Sequence, residues 1–95
     1  MILKVFWTEE ANETFENIVS YLEKEWGENA VKKFVQKTNK TLLNIVQQPF
    51  IFKPSNINEN IRKGLITKNC SVFYEVQEEQ IRLLFFWDNR QEPLL

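Results

Sequence analysis

The sequence contains no histidine and one cysteine, Cys70. Without histidine, neither a Ser-His-Asp nor a Cys-His arrangement can be assembled. One thiol without an imidazole also excludes the usual zinc sites. A lone cysteine cannot form a disulfide within the chain, which points to a reducing compartment. Cys70 sits in an apolar, strand-like run and reads as a buried small hydrophobe. Glycine occurs twice, at Gly27 and Gly64, too rarely for a phosphate-cradling loop. No apolar run approaches the length of a membrane span. Lys4 and the acids from Glu9 onward interrupt the N-terminal stretch, so neither a span nor a signal peptide is expected. The expectation is a soluble, cytoplasmic protein with no cofactor, no metal and no membrane partner.

What the chain has in quantity is aromatic residues and partitioned charge. Eight Phe, three Trp and two Tyr are many for 95 residues. They imply a core of large rings, a partner-binding surface, or both. The net charge of −1 hides an asymmetry. From Glu9 to Glu28 there are seven acids and one base, Lys24; from Lys32 to Lys68 there are eight bases and one acid, Glu59. Such a division creates a basic surface on a nearly neutral protein. It is not the field of a dominant nucleic-acid binder.

The hydrophobic pattern divides the chain into six elements. Ile2–Trp7 is β-branched and aromatic, and predicts a strand. Thr8 suits a helix N-cap, with Glu9 and Glu10 favourably placed in the first turn. Ala11, Phe15, Ile18, Val19, Leu22 and Trp26 recur at helical spacing, and Gly27 suits a C-terminal cap. A second helix is predicted from Glu28 to about Gln47. Its apolar stripe is Val31, Phe34, Val35, Leu42, Ile45 and Val46, with Thr38 and Thr41 between; Lys33, Lys37 and Lys40 share the outward face. Pro49 ends it.

A loop to Asn60 is followed by strand-like runs at Ile61–Thr67, Cys70–Val76 and Ile81–Trp87. Lys68-Asn69 is a plausible tight turn, and Gln77–Gln80 the next connection. The continuous apolar run Leu83–Trp87 predicts a strand at the sheet centre or covered on both faces. The order β-α-α-β-β-β predicts a single two-layer α+β domain over residues 1–95. Its helical hairpin packs on a mainly antiparallel four-stranded sheet. Phe15, Ile18, Leu22, Phe34, Leu42 and Ile45 should face that sheet, whose other side stays free for a partner chain.

Little conventional catalytic chemistry remains. Glu9/Glu10 and Glu78/Glu79 read as a helix first turn and a hairpin turn rather than as catalytic carboxylate pairs. The candidate residues are cations near the sheet: Arg62 and Lys63 at the start of the second strand, Arg82 in the last, and Arg90 after it. Arginine grips phosphate or carboxylate through a bidentate fork. The competing reading is surface ion pairing with Glu75, Asp88 or Glu92. It is favoured for Arg82, while Arg62 and Arg90 lie at strand ends where sites gather.

The segments W-T-E-E-A, Q-Q-P-F, I-R-K-G-L-I, S-V-F-Y-E-V, I-R-L-L-F-F-W and D-N-R-Q-E-P, in this order and spacing, resemble the RelE/ParE toxin superfamily over essentially the whole chain. The resemblance implies a growth-inhibiting toxin of a bacterial type II toxin–antitoxin module, neutralised by a cognate antitoxin whose C-terminal segment wraps it. A homodimer or a toxin–antitoxin hetero-oligomer is the expected assembly. RelE-like members cut messenger RNA on the ribosome with a cluster of cations on the sheet; ParE-like members poison DNA gyrase and lack that cluster.

Against the nuclease pattern, Arg62 falls at the start of the basic cluster. Gly64 stands where a lysine is expected, Ser71 replaces an arginine, and Arg90 falls near the late arginine with no tyrosine or histidine after it. The resemblance therefore favours a non-enzymatic, gyrase-directed ParE-like toxin with Arg62, Lys63 and Arg90 as target-binding residues. The alternatives are a ribosome-dependent endoribonuclease using Arg62, Arg82 or Arg90, and an inactive, binding-only member. Convergence of these cations on one sheet face would favour the nuclease.

Overall fold

Two helices lie across one face of a four-stranded sheet in a computed structural model that describes residues 3–56 and 58–91. The elements are β1 (Lys4–Trp7), α1 (Glu9–Trp26), α2 (Glu28–Gln47), β2 (Ile61–Thr67), β3 (Cys70–Val76) and β4 (Gln80–Asp88). The sheet order is β1-β4-β3-β2. β1 pairs with β4 in parallel, and the other pairs are antiparallel. The predicted element order and helix bounds agree with this. β4 begins one residue earlier and ends one later than its apolar run, because backbone pairing continues through Gln80 and Asp88. Ile2, expected to open the first strand, lies outside the described residues, as do Pro93 and the two final leucines.

The helix-side core is continuous. Ala11, Phe34, Ile45, Val72, Tyr74, Ile81, Leu83 and Phe86 are buried together, and Phe15, Ile18, Val19 and Leu22 pack against them. The rings of Trp7, Phe15, Phe34 and Phe86 stack in a chain of contacts 5.0–5.5 Å between centroids. The six residues expected to face the sheet do so to different degrees: Phe34, Leu42 and Ile45 are buried, whereas Phe15, Ile18 and Leu22 are half-buried. Thr38 lies within the α2 stripe because its hydroxyl donates to the Phe34 carbonyl one turn back (2.8 Å), which satisfies it without solvent.

β1 is short, and α1 compensates for that. β1 reaches only to Leu83 on β4, so the outer edge of β4 beyond that residue needs other partners. Thr8 supplies them: its hydroxyl donates to the Leu83 carbonyl at 2.7 Å, with the Leu84 carbonyl at 3.0 Å. The same oxygen caps α1 by accepting from the Ala11 N–H. One turn on, the Thr14 oxygen accepts from the Phe86 N–H at 2.9 Å. The predicted N-cap thus also welds the helix to the central strand.

Gly27 has φ 85°, a conformation that side chains disfavour. Its N–H closes α1 on Leu22 and Glu23, and α2 starts at the next residue. Gly64 has a different reason. A Cβ there would sit 3.2 Å from the Phe52 ring and 3.4 Å from Ile45 Cδ1. The glycine therefore lets the loop after α2 press against β2. That loop also protects part of the sheet's outer edge: Ser55 N–H donates to the Ile61 carbonyl (2.7 Å) and Pro54 bridges to Arg62.

The sheet face away from the helices departs from expectation. Leu65 and Phe6 are half exposed there, but Ser71 and Phe73 are buried. Phe73 stacks on its cross-strand partner Phe85 at 4.7 Å, and the Lys63 ammonium stands over the same ring. Leu65 and Trp87 flank Ser71 in the register. Neighbouring side chains of the sheet itself close the middle of this face, and its margins stay open.

Candidate functional site

The four cations singled out by the sequence occupy three separate environments. Arg62 pairs with Tyr74 near the C-terminal end of β3. Its Nη1 donates to the Phe52 carbonyl at 2.6 Å, and its guanidinium lies 4.7 Å from the centre of the Phe50 ring. Tyr74 lies beneath the same loop, donating its phenol to the Pro49 carbonyl at 3.0 Å. Burial pushes this phenol up to about 12, with the Arg62 charge pulling the other way. Arg62 and Tyr74 together fasten the segment after α2 to the sheet. Phe50 and Ile51 on that segment remain largely exposed.

Lys63 and Arg82 lie on the opposite face. Lys63 stands over Phe73, and Arg82 falls between Phe6 and Glu75 in the strand register. Glu75 accepts instead from the Gln77 amide.

Arg90 is at the other end of the sheet. Its guanidinium forms two hydrogen bonds to Asp88, at 3.0 and 2.7 Å, and stacks 5.4 Å from the Tyr21 ring on α1. Hydrogen bonding to Arg90 holds the Asp88 carboxyl below its ordinary value, and Asp88 in turn raises Arg90. Asp88 pairs with Cys70, while Arg62 pairs with Tyr74 four residues along β3. The two strand-end arginines are therefore about 13 Å apart along the strand direction alone. Arg62, Lys63, Arg82 and Arg90 do not meet on one face.

The positions that depart from the nuclease pattern are occupied by structure. The ring of Phe52 fills the space beside Gly64. Ser71 is fully buried and donates to the Asn89 side chain at 3.1 Å. Tyr74 faces the helix-side core, away from solvent.

Beside Arg90 opens a groove of about 550 Å³ between the helical hairpin and the β2–β3 turn. Ile18, Leu22, Phe34 and Cys70 give it an apolar floor; Tyr21 and Trp26 stand on its α1 side; Lys37, Asp88 and Arg90 supply its charges. Burial pushes the Cys70 thiol up to about 12, with Asp88 adding to the effect, so the sulfur is a neutral part of the floor. The sequence pattern assigned Trp26 to the buried stripe, yet it is 72% exposed. It is the last residue of α1 and lines the groove at its margin. Tyr21 drew no attention because it lies off the stripe. An aromatic pair at the end of a helix, just before a capping glycine, was the available signal.

A helical hairpin on a β1-β4-β3-β2 sheet is the architecture of RelE/ParE-type toxins, and solved structures of that class superpose on nearly all of it. A chain of the chromosomal ParDE toxin–antitoxin system from Pseudomonas aeruginosa matches with a TM-score of 0.76 at 19% identity, covering 92% of this chain and 96% of that one. The YoeB dimer from Staphylococcus aureus matches at 0.62 and 20%, covering 90% and 94%. The Escherichia coli DinJ–YafQ toxin–antitoxin complex matches at 0.65 and 5%, covering 95% and 96%. No curated protein sequence matches significantly. The family model for the ParE toxin of the type II toxin–antitoxin system parDE matches residues 5–93. The chain belongs to this ParE toxin family.

Proposed function

We propose that this toxin arrests growth without catalysis, by inhibiting DNA gyrase in the cytoplasm, and that a cognate antitoxin neutralises it. The observation that carries the reading is the dispersal of its cations. Phosphodiester cleavage by a side-chain network needs positive groups aimed at one developing charge. Here Arg62 is committed to Phe52 and Phe50, Arg90 to Asp88 and Tyr21, and Lys63 and Arg82 lie on the other face. Losing most members of such a network removes most of its rate.

Lys63 and Arg90, both exposed, contact the target in this reading. Arg62 contributes by holding Phe50 and Ile51 in place as an apolar contact. The test is a supercoiling assay with purified gyrase. The toxin should block supercoiling or trap cleaved DNA, and equimolar antitoxin should relieve it. Unimpaired gyrase together with messenger RNA cutting on ribosomes would replace this reading by the nuclease one, which the shared fold with YoeB and YafQ keeps as the second reading. Unimpaired growth on induction, with antitoxin binding intact, would leave the binding-only member.

A further inference from the structure

The outward face of α2 carries an inference that rests on the gyrase reading and deepens it. α1 and α2 are neighbours of similar length and opposite charge. α1 has six glutamates and one lysine; α2 has four lysines and one acid, Glu28 in its first turn. After Glu28 no acid occurs until Glu59. Lys33, Lys37 and Lys40 are exposed and share one side of α2, at i, i+4 and i+7. Gln36, Asn44 and Gln47 stand on the same side and are also exposed.

A solvated helix face ordinarily mixes charges, so that neighbours one turn apart attract. On α2 these neighbours repel, which weakens the helix. Among the described residues, none of the three lysines forms an ion pair, so nothing within the fold offsets the repulsion. The row offers positive charge and amide donors with no carboxylate among them. That set complements a phosphodiester backbone, which lysine meets as a point charge and Asn and Gln meet through hydrogen bonds. Lys33 and Lys40 are about 10 Å apart along the helix axis, which is the rise of about three nucleotides of one DNA strand. Contacts of this kind fix position and read no sequence.

The end of the row gives it a setting. Leu43 lies one turn beyond Lys40, and Phe50 and Ile51 follow the helix; the three are 57%, 66% and 50% exposed. Arg62 holds Phe50 from behind. A basic row that runs into an exposed apolar cluster suits a junction between nucleic acid and protein.

We propose that α2 rests on the backbone of the duplex DNA held by gyrase. Lys33, Lys37 and Lys40 sit on phosphates, while Leu43, Phe50 and Ile51 touch the enzyme. The target is then the enzyme–DNA complex rather than the enzyme alone. The net charge of −1 and the acidic α1 keep the toxin from spreading over free DNA.

The test is binding of fluorescently labelled toxin to purified gyrase, with and without a bound DNA duplex, over a range of salt. The parent should bind the gyrase–DNA complex more tightly than gyrase alone. The triple change Lys33→Gln/Lys37→Gln/Lys40→Gln should remove most of that gain, roughly tenfold or more at low salt. It should also flatten the slope of log affinity against log salt by about one unit per lysine. The corresponding triple change to arginine keeps the charge and should keep both the gain and the slope. Lys24→Gln, on acidic α1, should alter neither. Phe50→Ala should weaken binding with and without DNA alike. Circular dichroism melts check folding, and the glutamine variant should melt no lower than the parent, since a repulsion has been removed. If the gain from DNA and the salt slope persist in the glutamine variant, the phosphate contact is refuted while the gyrase reading stands. If that variant loses affinity equally for gyrase without DNA, the lysines face the enzyme and the proposal is wrong. If the parent binds neither form of gyrase and leaves supercoiling unimpaired, the gyrase reading fails and the proposal goes with it.

Discussion

At one end of β3, the Arg62 guanidinium lies beneath a loop, bonded to the Phe52 carbonyl and stacked on Phe50. At the other, Arg90 reaches into solvent from the end of β4, holding Asp88 and resting against Tyr21. In sequence the two are equivalent: each is an arginine at a strand boundary. In the fold, one is an internal fastener whose charge is spent on the protein's own backbone, and the other borders an open groove. The difference comes from what precedes each in the chain. The thirteen-residue segment before β2 returns across the sheet edge and supplies a carbonyl and a ring, whereas Arg90 follows β4 and, among the described residues, forms its ion pair with Asp88 alone.

Both ends hang on the core between them, which sets the upper limit for any local effect. Leu83 is fully buried and faces the helices at the centre of the sheet. Leu83→Ala should cost about 2–5 kcal/mol, enough to unfold much of a domain this small. Urea denaturation measures it, and a loss below about 1 kcal/mol would mean that this face repacks freely. Leu22→Ala should cost less than Leu83→Ala, because Leu22 is half-buried at the groove.

The sharpest test of the comparison is the pair of arginine variants. Arg62→Ala removes a charge-assisted hydrogen bond to a half-buried carbonyl and a cation–π contact, together about 2–3 kcal/mol. Arg90→Ala should leave the urea midpoint where it is, since its partner is a solvated surface carboxylate. Equal losses at the two positions would erase the distinction. A large loss at Arg90 with none at Arg62 would invert it.

A smaller effect is expected at Thr8, which joins the helical layer to β4. Thr8→Ala removes the α1 cap and the bond to the Leu83 carbonyl, and should cost about 1–2 kcal/mol. Thr8→Ser, which keeps the oxygen, should recover most of it. Failure of serine to recover would assign the effect to the lost methyl group.

These contrasts also mark how far the sequence could be read. The six elements were legible because helical and alternating periods differ and because Thr8, Gly27 and Pro49 punctuate them. Leu83–Trp87 correctly announced a central strand, since continuous apolar character is what two-sided pairing requires. The parallel β1–β4 pair and the role of Thr14 were not legible: which strand lies beside which is a long-range choice with no local mark. Nor was the fate of the cations. Arg62 is set by Phe50 and Phe52, ten or more positions away, and Arg90 by Tyr21 on α1 as well as by Asp88 two positions before it. Ser71 and Phe73 were hidden for the same reason. They lie on the face away from the helices, where Lys63 and Phe85 cover Phe73, and Leu65, Trp87 and Asn89 surround Ser71.

The smallest effect concerns the Asp88–Arg90 pair itself, and it reports on geometry rather than stability. Arg90 holds the Asp88 carboxyl below its ordinary 3.8. A carboxylate whose folded value is depressed contributes stability that is present above the unfolded value and lost as pH falls through the folded one. The relevant window therefore lies at and below pH 3.8. Because the pair is open to water, that contribution is strongly screened, and acid unfolding of the parent and Arg90→Ala should nearly coincide. The carboxyl's own titration, followed by carbon NMR, should still move. In Arg90→Ala its midpoint rises to the ordinary value, since the guanidinium was the principal cause of the depression. High salt should raise the parent's midpoint in the same direction but less far, because a directly hydrogen-bonded pair is less screened than a distant one. A parent midpoint already at the ordinary value would show that Arg90 leaves Asp88 in solution. The groove would then lose its fixed polar margin, and the contrast with Arg62 would reduce to a clamped arginine and a free one.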